Sequence, residues 1–475
     1  AGWRGSVFFV DDNFIGNPRL ARRSLAAIEG WQREHGFPFQ FYTEASVNLG
    51  ADDRLLAGMR GAGFSFVFLG IESPSAESLA GANKPQNAKL DLLATVRRIQ
   101  AFGIEVSSGF IVGFDEDDEA IFDRQVEFIR RAGIPMAMVG ILTALAGTEL
   151  HDRLAREGRL LSESGGDNTH VFEPNFVPRM PVERLVAGYK RLMHTLYGPT
   201  LADYFGRCRT LFDRLGPNPR FSRRVIGREL RAFARSLTTI ATRAYGREYA
   251  RFLAWAAVRH PARFAEAVRL GLMGFHFEAI TREALACDGI RLESEQLADR
   301  FRARVAAIVG GARTRYVADR VRVRAILTER ARILGAFRRK LRGLGPGARE
   351  TASARYADLL AHVDEAVADH SVRAAQLVAG GRRRFETMRR TFRSDFEALR
   401  ARYVRIRAAT AGMPGRFTHE ARELRRLGRR LRAEARRHVR SLPREYRVLG
   451  RLELRAMRAR LDRLLAGLDG LAARS

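Results

Sequence analysis

Five apolar runs in the first third of the chain each end in small or acidic residues, and helix-like sequence separates them. The segments at their ends are VFFVDDNF from Val7, FYTEAS from Phe41, VFLGIES from Val67, GFIVGFD from Gly109 and ILTALAGT from Ile141. Repeated strand–helix units at this spacing predict a parallel sheet, either open or closed into a barrel. No other feature restricts the fold of this chain as strongly.

The hydrophobic spacing also places the individual elements. Asp52 and Pro74 stand where helices should begin, and Gly103 and Gly133 stand where helices should end. Strands are predicted at 6–10, 39–46, 65–71, 104–112 and 136–142, and helices near 18–35, 52–62, 87–102 and 117–132. In parallel α/β proteins ligands bind at the carboxyl ends of strands, so the polar residues at these ends predict a binding site.

Asp11 and Asp12 at the first strand end allow a second interpretation, a response regulator in which paired acids hold Mg²⁺. That fold requires a phospho-acceptor Asp after the third strand and a Lys after the fifth. Here the third strand end carries Gly70, and ILTALAGT contains no lysine. The interpretation fails at both positions.

The ordered set of motifs resembles the radical S-adenosylmethionine (SAM) enzymes, in particular the class with a cobalamin-binding domain that includes hopanoid methylases and anaerobic cyclases. In that class DDNF, TEAS, GIES and GFIVGFD follow or lie on successive barrel strands. An xPGT-like turn comes next, where this chain has LAGT from Leu145. NFVPRM from Asn175, GYKRLMHTLYGP from Gly188 and GFHFEAI from Gly274 resemble the uncharacterised helical domain that follows the barrel.

The resemblance implies a fold that is α/β and then all-α. Its first part is a TIM-barrel-like, partial (βα)6 radical SAM barrel over 1–160 whose first βα unit is missing. A helical domain over 161–290 and an Arg/Ala-rich helical extension over 291–475 follow. Within the extension the sequence predicts four or five long helices, with breaks at Gly343 to Gly347, Gly380 and Gly381, Met413 to Gly415, and Pro443.

The resemblance further implies a SAM site and assigns a role to each residue. Strand-end carboxylates would accept hydrogen bonds from the SAM ammonium, other polar groups would contact the ribose or the methionine carboxylate, and glycines would let adenine approach the backbone. The residues so implied are Asp11, Asp12, Asn13, Glu44, Glu72, Ser73, Lys84, Gly109 and Gly113. No catalytic residue and no metal ligand is predicted.

Each of these motifs also has a structural explanation that the sequence leaves open. The Asp pair fits a helix N-cap, and Glu72–Ser73–Pro74 fits a cap of the next helix. GFIVGFDEDD fits a strand-to-helix turn with acids in the first helical turn.

The 4Fe–4S cluster of radical SAM enzymes needs three thiolates, usually in a CxxxCxxC loop. The only cysteines are Cys208 and Cys287. We therefore expect that the first strand, the cluster loop and the cobalamin domain precede Ala1, and that this chain alone is inactive. Whether it is an enzyme in its own right stays open; by lineage it resembles a radical SAM enzyme. The implied reaction is methylation or rearrangement of a hydrophobic or cyclic substrate, such as a lipid or a tetrapyrrole.

Charge is distributed unevenly along the chain. Residues 1–200 hold 21 Lys plus Arg and 25 Asp plus Glu, whereas the remainder holds 62 and 28. This asymmetry favours either solvated helices or contact with an anionic membrane or nucleic acid. A basic helical scaffold with a vestigial α/β part is the alternative function. Few cysteines and the absence of a run of about 18 apolar residues favour a cytoplasmic location, either free or membrane-peripheral.

Overall fold

The computed structural model of the protein describes residues 5–81, 90–164, 172, 174–217, 234, 239–240, 242–310, 317–344, 346–409 and 414–472. The chain divides into two compact units, Ala1–Leu285 and Ala286–Ser475. The further division of the first unit at residue 160 stays a prediction.

The first unit contains five parallel strands paired in chain order. They are β1 Gly5–Phe9, β2 Phe39–Ala45, β3 Phe64–Glu72, β4 Glu105–Val112 and β5 Ala137–Ile141. The strand predictions agree with these bounds to within one residue at every end. The sheet is curled into a half-barrel, and its sequential strand order is the one expected for the barrel part of the fold class.

Helices connect the strands and continue after them. Those that follow strands are α1 Pro18–Glu34, α2 Asp53–Ala62, α3 Ala76–Gly81, α4 Leu92–Ala101, α5 Ile121–Ala132 and α6 Glu149–Arg156. After these come α7 Val182–Tyr197, α8 Ala202–Arg214, α9 Gly246–Arg259 and α10 Phe264–Gly310. Short 3₁₀ turns lie at Val47–Ala51 and Pro261–Arg263.

Local sequence explains several helix ends. Asp52 caps α2 by accepting a hydrogen bond from the Leu55 N–H at 3.0 Å. Gly133 ends α5 with φ of 63°, a left-handed conformation that glycine adopts without strain. Both positions were predicted from the sequence.

Buried glutamines fasten the amino-terminal side of the half-barrel. Gln32 of α1 donates to the carbonyls of Phe39 at 2.8 Å and Ala62 at 3.2 Å. Gln100 of α4 likewise donates to the carbonyl of Ala132 at 2.9 Å. In both cases a glutamine of one helix donates a hydrogen bond to a carbonyl at the end of the next helix. Without the glutamine that carbonyl would be buried and would lack a hydrogen-bond donor.

Helix α7 covers the outer edge of β5. The Tyr197 hydroxyl accepts from the Ala137 N–H at 2.8 Å and lies 2.8 Å from the Ala137 carbonyl. The Tyr189 hydroxyl donates to the Val139 carbonyl at 2.8 Å. Both tyrosines are fully buried, and their hydroxyls satisfy the Ala137 N–H and carbonyl and the Val139 carbonyl at this edge of the sheet.

The described residues of the second unit are helical apart from short connections. Its helices after α10 are α11 Val317–Gly343, α12 Pro346–His370, α13 Val372–Ala409, α14 Pro414–Ser441 and α15 Arg447–Ala472. Within its core, Arg330 pairs with Asp364 at 2.8 Å, and the Tyr446 hydroxyl donates to the same carboxylate at 3.1 Å. In the described residues no helix is long and apolar enough to cross a bilayer.

One prediction about the second unit is wrong. Gly380 and Gly381 were expected to break a helix, but they lie inside α13. A Cβ at Gly381 would stand 2.7 Å from the Tyr446 ring, so glycine there allows close packing. The break comes instead at Ser371, whose hydroxyl accepts from the Ala374 N–H at 3.3 Å.

Candidate functional site

The face of the sheet opposite the helices carries a row of aromatic side chains. Phe41 and Val67 point into the core beneath the helices, so their neighbours in sequence point the other way. On that inner face Tyr42 pairs with both Phe8 and Phe66. The rings of Phe8 and Tyr42 stack at 4.9 Å, and Phe8 is 38% exposed. The inner face is therefore apolar and accessible to a ligand.

Two glycines lie side by side above this row, nearer the carboxyl ends of the strands. Gly70 of β3 pairs with Gly109 of β4, which leaves two adjacent strands without side chains at that level. The ring of Phe68 lies 3.2 Å from where a Cβ of Gly109 would be, so a larger residue would displace it. Glu44 pairs with Phe68 on the same face. The inner face thus carries a carboxylate, an aromatic ring and backbone without side chains on neighbouring strands.

Glu72 ends β3 in an unusual conformation. The pairing of β3 with β4 shifts register between Gly70 and Glu72, and Glu72 has φ of 67°. A non-glycine residue in the left-handed region costs about 1 kcal/mol or more, and such bulges reorient side chains beside functional sites. Ser73, in contrast, is fully buried and accepts from the Ser75 N–H at 3.2 Å. Its hydroxyl therefore stabilises the turn before α3.

The loop after β1 is attached to the end of β2. The Asn13 side-chain oxygen accepts from the Ser46 N–H at 3.0 Å, and the Phe14 N–H donates to the Glu44 carbonyl at 3.0 Å. Asp11 accepts from the Asn13 N–H at 2.9 Å. Asp12 is exposed, and no hydrogen bond or ion pair engages it within the described part of the chain. Asn13 therefore holds the loop in place, and Asp12 is a carboxylate that the loop exposes to solvent.

The turn after β4 is closed around Asp117, a residue the motif analysis did not select. The Asp117 carboxylate accepts from the Gly113 N–H at 2.8 Å and from the Ser78 hydroxyl at 2.6 Å. Burial raises the pKa of Asp117 in spite of these bonds. Gly113 has φ of 99°, which explains the glycine, but its N–H is already used. The sequence signal for this closed turn was the acidic residue Asp117, four positions after Gly113.

Asp115, in the same turn, lies among arginines. Its carboxylate pairs with Arg159 at 2.6 Å and with Arg153 at 3.0 Å, and its side chain is 3% exposed. The Arg159 guanidinium, followed by that of Arg153, holds the pKa of Asp115 below its usual range. These bonds fix the turn after β4 to α6 and the segment that follows it.

The structure thus brings most of the implied SAM residues to one edge of the sheet. Asp11, Asp12 and Asn13 lie in the loop joined to the end of β2, while Glu44, Glu72 and Gly109 lie on neighbouring strands. Lys84 lies outside the described residues. Direct SAM contacts of all nine residues stay predictions.

The described residues do not fit an iron–sulfur cluster. They contain no group of three or more His, Cys, Asp or Glu side chains arranged to hold a metal. Cys208 is fully buried, and this burial raises the pKa of its thiol, which disfavours the thiolate that iron binds.

Comparison with known proteins gives consistent results. Residues 148–288 match a family described as a domain of unknown function, DUF4070. An uncharacterized methyltransferase of Synechocystis is 42% identical over 215 residues, which cover 45% of this chain and 40% of that protein. The hopanoid C-2 methylase of Rhodopseudomonas palustris is 40% identical over 198 residues, which cover 42% of this chain and 36% of that protein.

Among solved structures, the radical SAM methyltransferase TsrM of Kitasatospora setae, with cobalamin and a 4Fe–4S cluster bound, aligns with a TM-score of 0.31 and 13% identity. This alignment covers 57% of this chain and 52% of that one. The family match and the two curated relatives confirm the resemblance to the class that includes the hopanoid methylases and to its helical domain. The aligned part of the chain spans about two fifths of the length of these curated relatives.

Proposed function

We propose that this chain is the SAM-binding half-barrel and helical part of a radical SAM methyltransferase that acts on a hydrophobic or cyclic substrate. The observation that carries the proposal is the joint position of Asp12, Glu44 and Glu72 around the Gly70–Gly109 pair. The names of the curated relatives support methylation as the reaction.

The residues suit the parts of SAM differently. Asp12, exposed on a loop that Asn13 holds in place, would accept hydrogen bonds from the ammonium group. Glu44 and Glu72, on neighbouring strands, would accept from the ribose hydroxyls. The bare backbone at Gly70 and Gly109 would let the flat adenine lie close to the sheet. SAM itself supplies a methyl group or an adenosyl radical in this class of enzyme.

The aromatic row supports an apolar substrate. Phe8, Tyr42 and Phe66 offer ring faces on the inner side of the sheet, next to the acids. Ring faces of this kind bind polycyclic hydrocarbon or tetrapyrrole surfaces through apolar area and stacking. The substrate would thereby lie beside SAM, which is what transfer of a methyl group requires.

SAM affinity tests the proposal. Because a hydrogen bond to a charged group contributes about 1.5–3 kcal/mol, Asp12→Asn and Glu72→Gln should each weaken SAM binding by about tenfold or more in isothermal titration of the full chain. Glu34→Gln is the matched control. Glu34 is exposed at the last position of α1, at the opposite end of the strands, and its removal should leave the affinity unchanged. Absence of SAM binding by the unaltered chain, or equal loss in the control, would contradict the proposal.

The cluster gives a separate test. Since three thiolates are required and Cys208 and Cys287 are the only cysteines, anaerobic reconstitution of this chain with iron and sulfide should give no 4Fe–4S absorbance. No catalytic step is therefore assigned to residues of this chain. A stable cluster spectrum would show that this expectation is wrong.

A further inference from the structure

An open groove lies between α13 and α15 in the second unit. It has a volume of about 490 Å³. Its lining residues are Phe396, Arg400, Tyr403, Val404, Arg460, Arg463 and Leu464. The two helices run in the same direction, since Arg389 pairs with Glu453 at 3.0 Å and, farther along both helices, Tyr403 clusters with Leu464. We call this feature the arginine groove.

The arginines of the groove lack acidic partners. Among the described residues Arg400, Arg460 and Arg463 form no ion pair. The nearby acids are engaged elsewhere, because Glu397 pairs with Arg393 at 3.3 Å and Asp462 pairs with Arg432 at 2.9 Å. Three guanidinium groups around one hollow are therefore a local excess of positive charge.

The floor of the groove is apolar. Phe396, Tyr403 and Leu464 are partly buried against a small core cluster that includes Leu399 and Leu461. Val404, beside them, is 56% exposed. A solvated charged surface needs no aliphatic side chain at its centre, so the combination favours a partner that is anionic on its surface and apolar beneath it.

We infer that the arginine groove docks the second unit on the headgroup layer of an anionic phospholipid membrane. The guanidinium groups pair with lipid phosphates, often through two parallel hydrogen bonds, and the exposed Val404 enters the boundary between headgroups and acyl chains. Nucleic acid shares the phosphate chemistry, but it offers no apolar layer for the aliphatic side chains. This inference is independent of the proposed SAM site.

Co-sedimentation of the full chain with vesicles tests the inference. Binding to vesicles of phosphatidylcholine mixed with phosphatidylglycerol should exceed binding to vesicles of phosphatidylcholine alone. Because each arginine near an anionic surface contributes about 1 kcal/mol, the triple change Arg400→Gln, Arg460→Gln and Arg463→Gln should lower partitioning by about 100-fold. Val404→Ser should weaken it further without changing charge.

The matched control removes three arginines that have acidic partners. Arg382, Arg426 and Arg437 are exposed and pair with Glu386, Glu423 and Glu434. Their joint replacement by glutamine changes net charge equally and should lower partitioning far less than the groove variant. Equal losses in the two triple variants would overturn the inference, as would equal binding to neutral vesicles. Binding to duplex RNA that exceeds vesicle binding at the same salt and depends on the groove arginines would also overturn it.

Discussion

Replacing Arg269 by methionine is expected to lower the free energy of unfolding of the first unit by about 3 kcal/mol. Arg269 of α10 forms an ion pair with Glu105 at the start of β4, and Glu105 is only 6% exposed. Breaking a buried pair from one side costs about 3–5 kcal/mol because a charge is left without a partner. The side chain of Arg269 is 35% exposed, which places the effect at the lower end.

Urea unfolding followed by tryptophan fluorescence measures this change in the first unit alone. The sequence contains three tryptophans, Trp3, Trp31 and Trp255, and all belong to that unit. Unfolding of the second unit therefore leaves the signal largely unaffected.

The loss should depend on pH. Burial raises the pKa of Glu105, and the Arg269 guanidinium opposes that rise, so the methionine variant raises the pKa further. A carboxyl whose folded pKa exceeds its unfolded value stabilises the fold below the unfolded pKa, and this contribution is lost as the pH rises through the folded pKa. The cost of Arg269→Met should thus be greatest at neutral pH and shrink towards pH about 4.3, the ordinary value for Glu.

A double variant provides the control for this pair. Adding Glu105→Gln to Arg269→Met removes the uncompensated charge and should recover most of the stability at neutral pH. If Arg269→Met cost the same at neutral and acidic pH, or if the double variant recovered nothing, the ion pair would not be the cause.

Loss of the two edge tyrosine hydroxyls should also be costly. Tyr189→Phe together with Tyr197→Phe is expected to destabilise the first unit by about 2–4 kcal/mol, because each buried group left without a hydrogen-bond partner costs about 1–3 kcal/mol. The Ala137 N–H loses its partner outright, and the Val139 carbonyl loses a donor. The same fluorescence assay measures the total, and hydrogen exchange of the Ala137 amide locates it.

Tyr42→Phe is the matched control for the edge tyrosines. Tyr42 lies on the inner face of the sheet, and in the described part of the chain its hydroxyl makes no hydrogen bond. We expect a change of less than about 0.5 kcal/mol, as for other substitutions away from buried contacts. Faster exchange of the Ala137 amide in this variant would show that the effect is not specific to the edge.

The regular elements of the half-barrel were predictable because their signals are local. Apolar runs fixed the strands, and Asp52 and Gly133 marked a helix start and a helix end through their own capping chemistry. The helix near 87–102 was predicted too long, since α4 begins at Leu92 after Asp91 caps it by accepting from the Ala94 N–H at 2.9 Å. The break assigned to Gly381 failed because a glycine that permits close packing has the same sequence signal as one that ends a helix.

The candidate site was predictable only in outline. Strand-end acids identified the edge of the sheet, but the sequence could not show that Asn13 is used to hold the loop or that the Gly113 N–H is bonded to Asp117. The bond from Ser46 to Asn13 depends on the tertiary fold, which brings the two loops together. The bond to Asp117 uses the Gly113 N–H that the adenine was expected to reach. The bulge that reorients Glu72 and the long-range pair of Glu105 with Arg269 left no local pattern.

Tyr189 and Tyr197 make the two edges of the sheet unequal, because they cover the edge formed by β5. Phenolic hydroxyls already occupy the Ala137 N–H and carbonyl and the Val139 carbonyl on that side, while in the described residues β1 has a neighbour only in β2. We therefore expect a strand added to this sheet, from the same polypeptide or from another molecule, to join beside Gly5–Phe9. Recruitment of a further strand should thus take place on the flank that carries Asp12.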